Sequence, residues 1–371
     1  MIRGYATAEG TAANRARVGA AAAPGHFREW AGLALSSVGL GTYLGPEDAA
    51  TDLGYEEAVT RALALGLNVV DSAVNYRGQR SERAIGAALR AMTAAGRLAR
   101  AEVFLATKGG FIPGDGGAGS RGEQPAQAYI RSGIVTPADV VAGCHCMTPR
   151  YLADQLERSR ANLGVETVDV YYLHNPETQL QEVDRPTFLA RVRAAFEFLE
   201  SAVTEGKIRW YGAATWTGFR QEPSAADYLS LAELVDVASA VAGKRHHFRV
   251  LQLPYNLGMT EAFTSRNQRA GRDRVSLFEA ARRLDVFVMT SASIYQGKLA
   301  SGLPPVVAEF LPGFDTDAQR ALQFVRSTPG VGAALVGMAR AAHVEENARV
   351  RAVAPLPWSA FRRLFQGDES A

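Results

Sequence analysis

Residues 286–291 read VFVMTS, with four apolar positions in succession and no polar residue between them. A strand with one face in water alternates apolar and polar residues. A strand buried on both faces does not, and that burial belongs to parallel strands covered by helices. Seven other short runs rich in Val, Ile and Leu lie along the chain: VGLGTY (38–43), LNVVD (67–71), VFLATK (103–108), VDVYYLH (168–174), IRWYGAA (208–214), RVLQLP (249–254) and GAALVG (332–337). Stretches of helical period separate them near 54–65, 80–96, 149–163, 187–205, 225–242, 274–284 and 316–327, and a last one follows near 341–350. Eight strand-helix units predict an α/β fold, a closed (β/α)8 TIM barrel. The competing open, doubly wound sheet would carry Gly-x-Gly-x-x-Gly after an early strand. GLGTYLG (39–45) matches neither the spacing of the last glycine nor the helix that should follow.

The bulk properties agree with a barrel and narrow its partners. A length of 371 residues suits one such barrel with insertions. Forty Lys and Arg against 38 Asp and Glu leave a net charge of +2, so no basic surplus points to nucleic acid, while a small anionic ligand stays compatible. No run of about 18 apolar residues marks a membrane span. The two cysteines, Cys144 and Cys146, stand one residue apart and exclude a disulfide framework, which favours a reducing, cytoplasmic setting. The opening MIRGYATAEGTAANRARVGAAAAPG is rich in Ala, Gly and Arg and lacks a secretory apolar core. It is expected to be a mobile tail over residues 1–30, a transit peptide being the alternative, with a single barrel domain over 31–371.

One connection breaks the rhythm. After VFLATK, an insertion at 109–147 includes the glycine-rich GDGGAGSRGEQP and the patch CHCM. Loops of that length are uncommon in compact domains unless they serve as lids or mobile insertions, and this one follows a strand's carboxyl end, the face where barrel chemistry sits.

Asp71 closes the second predicted strand, Lys108 the third and His174 the fourth, with Tyr76 on the loop beyond Asp71. A strand-ending Asp alone is often a helix cap, and a lone His often a core residue. Three polar residues at equivalent ends of consecutive strands suit proton transfer at an oxygen. A nearby ammonium favours the phenolate, so Lys108 is expected to lower the Tyr76 pKa; Asp71 would balance Lys108, and His174 would orient the substrate oxygen.

The ordered set GLGTY, NVVDSAVNYRGQRSERAIGAAL, VFLATK, LGVETVDVYYLHNP, EGKIRWYGAAT, LQLPYN and HVEEN resembles the aldo-keto reductases over roughly residues 35–350. The resemblance implies a barrel that holds NADPH, or NADH, in extended form. It also implies Tyr76 as general acid or base, with Asp71, Lys108 and His174 completing a tetrad. Gln252 matches the residue that holds the nicotinamide carboxamide. Ala214 and Thr215 replace the family's usual Ser-Asn pair, and Ser291 stands where many members place a tyrosine beneath the nicotinamide. GMARAAHVEENARV resembles the adenosine-binding loop and helix, with Glu346 and Asn347 at the adenine and Arg340 placed to pair with a 2′-phosphate.

Trp216 and Tyr295 lie just past the fifth and seventh strands, where an aromatic wall can contact substrate or simply pack. The pair at 246–247, HH, precedes a strand on the far side and reads as structural. For CHC (144–146) three readings stand: a metal site, against which the spacing argues; a contribution to the substrate pocket; or a solvated insertion. The functional expectation is an NADP-dependent oxidoreductase interconverting a small carbonyl or sugar with its alcohol, without a metal and with oligomeric state open. The alternatives are a cofactor-sensing regulatory subunit and a nicotinamide-assisted elimination or epimerisation.

Overall fold

The computed structural model describes residues 1–114 and 125–365. Eight parallel strands close a barrel: β1 (Val38–Gly41), β2 (Val69–Asp71), β3 (Phe104–Gly109), β4 (Val168–His174), β5 (Ile208–Ala214), β6 (Phe248–Pro254), β7 (Phe287–Ser291) and β8 (Ala333–Gly337), with β8 returning to β1. Each is followed by a helix: α1 (Ala49–Ala64), α2 (Arg80–Ala94), α3 (Pro149–Leu163), α4 (Arg185–Thr204), α5 (Leu231–Ala242), α6 (Leu277–Arg283), α7 (Asp317–Ser327) and α8 (Ala341–Ala348). Five of these helices start with a side-chain cap. Asp48, Asp184, Ser230, Ser276 and Thr316 each accept a backbone N–H of the first turn, which otherwise has no partner.

Side chains alternate across the strands, and the alternation decides what reaches the site. Val69, Phe104, Ala106, Val170, Tyr172, Val250 and Met289 fill the inside of the barrel. Two residues further along the same strands come Asp71, Lys108, His174, Gln252 and Ser291, so the residues predicted for the site share the inward phase. The opposite phase, including Val70, Leu105, Tyr171 and Leu251, packs against the helices. Where β5 passes β6 the register shifts between Tyr211 and Gly212. A Cβ on Gly212 would stand 1.7 Å from the Val250 carbonyl oxygen, so only glycine allows the approach.

The first thirty residues are not the tail that composition suggests. Ala8–Val18 is a helix capped by Thr7, and Phe27–Trp30 pairs with Leu33–Ser36 as a hairpin. Trp30 lies 4.8 Å from Trp210 and 5.0 Å from Phe287, ring centre to ring centre, so the hairpin stoppers the barrel's amino-terminal end. Ala6 is fully buried, and its N–H donates to Asp169 Oδ1 at 2.8 Å. Asn14 donates to the Gly66 carbonyl at 3.1 Å. An Ala-rich helix with little amphipathic contrast is held here by hydrogen bonds to distant parts of the barrel, which composition does not display.

Asp169 is the hub of that end. Besides Ala6 it accepts from Arg100 Nη2 at 2.6 Å and from the Leu105 N–H at 2.9 Å, all buried. Asp169→Ala is expected to lower unfolding free energy by about 3–5 kcal/mol, because a buried guanidinium would lose its counter-charge. Urea denaturation measures this, and a loss below about 1 kcal/mol would contradict it.

Candidate active site

At the carboxyl end of the barrel the predicted group comes together. Lys108 Nζ lies 2.6 Å from Asp71 Oδ2, 2.7 Å from the Ser72 carbonyl oxygen and 4.7 Å from the Tyr76 ring centre. Gln252 Nε2 donates to Asp71 Oδ1 at 2.7 Å, so both carboxylate oxygens are engaged. Thr42, just past β1, directs its hydroxyl at the Asp71 carbonyl and at Ser72. The Tyr76 ring meets His174 edge-on at 5.7 Å and Tyr43 at 5.0 Å.

Electrostatics correct one sequence expectation. Burial pushes the Tyr76 phenol above its ordinary pKa, and the Lys108 charge opposes that shift without reversing it. The resting group is therefore a protonated phenol beside a cation, not a phenolate. Burial works against the Lys108 charge too, but Asp71 and Tyr76 outweigh it and the ammonium is held. Burial raises the Asp71 carboxyl above its ordinary range, and Lys108 and Gln252 offset only part of that rise. His174 is pushed well below its usual pKa by burial and then by Lys108, so its imidazole is neutral. Its Nδ1 is buried with no hydrogen-bond partner among the described residues.

The residues expected to meet a dinucleotide fall on two sides of this centre. Ala214 and Thr215 are buried at the end of β5, and Ser291 is half-buried at the end of β7. Arg340 is exposed at the N-cap of α8, while Glu346 and the buried Asn347 lie within that helix. Thr215 Oγ1 and Asn347 Oδ1 are buried without partners among the described residues, one near the barrel mouth and the other on α8. Two such polar atoms, with the exposed Arg340 at a helix start, fit a ligand with an amide at one end and an anionic, base-bearing group at the other.

Trp216 is 40% exposed just past Thr215, and Tyr295 is half-buried beyond β7 with Lys298 over its ring. Tyr43, at 56% exposed, joins the rim although no expectation singled it out. Its signal was its position two residues past the end of β1. Glu177 was also missed; buried, it accepts the N–H groups of Trp216 and Thr217 at 2.7 and 3.1 Å and so holds the loop that carries Trp216. CHC resolves into unlike parts. Cys144 is exposed, while His145 and Cys146 are buried. Among the described residues no group of three His, Cys, Asp or Glu is placed to hold a metal ion. The insertion carries a helix at Pro125–Arg131, residues 115–124 of it lying outside the described residues. His247 bonds Glu200 at 2.7 Å, away from the site. Among the described residues no helix is long and apolar enough to cross a membrane.

Barrel closure, the inward strand ends and the Asp-Tyr-Lys-His cluster define one class. Residues 37–296 match the model of the Aldo/keto reductase family, and the chain belongs to that family. It is similar to the 6-dehydroglucose reductase of Novosphingobium aromaticivorans, 27% identical over 198 residues, which are 52% of this chain and 53% of that one. The chain thus spans about half the length of this relative. An aldo/keto reductase from Klebsiella pneumoniae, in complex with NADP and acetate, superposes with a TM-score of 0.60 at 22% identity over 92% of this chain and 94% of its own. The holo form of an aldo-keto reductase from Bacillus halodurans gives 0.61 at 20% identity, over 91% and 95%.

Proposed function

We propose that this chain is an NADPH-dependent oxidoreductase that reduces the carbonyl of an aldehyde, ketone or open-chain sugar to the alcohol. One observation carries the reading: the protonated Tyr76 phenol stands beside the Lys108 ammonium, which Asp71 anchors at 2.6 Å, with neutral His174 against the same ring. The bound nicotinamide would supply hydride to the carbonyl carbon. As charge develops on the carbonyl oxygen, Tyr76 donates its proton there, and Lys108 stabilises the phenolate left behind. His174 orients that oxygen, and Asp71 keeps Lys108 charged and in place. The alcohol oxidation runs through the same residues in reverse.

At the cofactor, Gln252 Oε1 and Thr215 would take the carboxamide, with Ala214 and Ser291 beside the ring, and Arg340, Glu346 and Asn347 would take the adenosine end. The aromatic rim of Tyr43, Trp216 and Tyr295 suits a sugar or an apolar carbonyl compound. That the similar Novosphingobium protein is a 6-dehydroglucose reductase supports the sugar end of this range, and the Klebsiella complex supports NADP.

Quenching of the four tryptophans on titration with NADPH and, separately, NADH tests the reading. Tighter binding of NADPH is expected. Arg340→Ala should weaken NADPH about tenfold and leave NADH unchanged, since a guanidinium pairs only with the 2′-phosphate. Binding of neither cofactor would overturn the assignment.

A further inference from the structure

The insertion after β3 reaches the backbone of His174. Its two ends run side by side: Phe111 bridges to His145, the Ile112 N–H donates to the Cys144 carbonyl at 2.7 Å, and the Cys146 N–H donates to the Gly110 carbonyl at 2.9 Å. This pairing buries His145 to 1% exposure, with Nε2 lying 2.7 Å from the His174 carbonyl oxygen. A Cβ on Gly110 would stand 2.8 Å from that oxygen and 2.9 Å from Nε2, so glycine leaves room for the contact.

The proton on His145 can be placed by following its partners outward. Arg191 Nη1 donates to Gln179 Oε1 at 2.5 Å, and a guanidinium cannot accept. The oxygen end of Gln179 therefore faces Arg191, and its NH2 faces His145 Nδ1 at 2.8 Å. Nδ1 must accept, so the one proton of the neutral ring sits on Nε2 and points at the His174 carbonyl. Burial keeps the ring neutral, with a pKa lowered to about 4. Asn175, the next residue, has φ 46° and turns the chain out of the sheet, while Phe111 meets the rings of His145 and His174 edge-on at 5.1 and 5.0 Å.

We propose that His145 is a positioning residue for His174, setting the placement of that imidazole through its Nε2–H bond to the His174 carbonyl and through the Phe111 ring between them. The inference rests on the reading that His174 orients the substrate oxygen. It gives the CHC patch a role in the site without a metal.

The test uses the full chain with NADPH and para-nitrobenzaldehyde as the carbonyl probe. His145→Met fills the space but donates nothing, and is expected to lower kcat about 10²-fold with NADPH affinity unchanged, because small misplacements carry costs of that order. His145→Gln puts an amide N–H where Nε2 was, and should recover kcat to within about threefold. Equal kcat in wild type and His145→Met, or an equal fall in both variants, would overturn the proposal. Nitrogen-15 NMR of the wild type should show His145 as the Nε2–H tautomer, and the His174 ring signals should shift in His145→Met but not in His145→Gln. An Nδ1–H tautomer or an unmoved His174 signal would also overturn it. These spectra do not depend on turnover: a wild type inactive on carbonyl probes would count against the reductase reading, and NMR would still decide the role of His145.

Discussion

Tyr76→Phe is expected to lower kcat for carbonyl reduction by about 10²–10⁴-fold, the span that a positioned proton donor contributes. The substitution removes one oxygen and keeps the ring, so the packing against Tyr43 at 5.0 Å, His174 at 5.7 Å and Lys108 at 4.7 Å persists. The NADPH dissociation constant should stay within a factor of about two, because the lost group acts on the reacting oxygen and not on the dinucleotide. NADPH consumption at saturating cofactor, followed with the tryptophan titration, separates these effects. Retained turnover would mean that the proton comes from elsewhere. His174 is a poor substitute as donor, since burial and Lys108 hold its imidazole neutral.

The barrel was legible because its strands are buried on both faces, and VFVMTS and its counterparts betray that without any partner in view. Asp71, Lys108 and His174 were legible for a related reason. Asp71 and His174 end their strands and Lys108 stands one residue before the end of its own, and a period of two puts all three in phase with the inner core. What escaped depends on contacts remote in sequence. The helix at Ala8–Val18 is tied down by Gly66 and Ala6, just ahead of it, by Asp169, while the composition of this stretch looks like a tail. His145 and His174 are 29 residues apart, and CHC offered no local sign that its histidine turns toward a backbone carbonyl instead of a metal. The direction of the Tyr76 shift was also out of reach. Sequence places a cation near a phenol, but only the fold says how much water each has lost.

Lys108→Met is expected to cost both turnover and stability, and the two losses can be pulled apart. Lys108 is fully buried, so removing its ammonium leaves Asp71 in the barrel with Gln252 as its remaining side-chain donor. Breaking one partner of a buried pair typically destabilises by about 3–5 kcal/mol, since the other charge keeps its desolvation cost and loses its compensation. The paired change Lys108→Met with Asp71→Leu removes both charges. It should regain most of that stability in urea denaturation, because a buried ion pair replaced by apolar residues of similar size is often close to neutral. Turnover should not return, since the phenolate forming on Tyr76 would still lack its cation. Recovery of stability without activity would assign the pair to chemistry. Recovery of both would mean that Lys108 serves the fold alone and that Tyr76 gives up its proton without help.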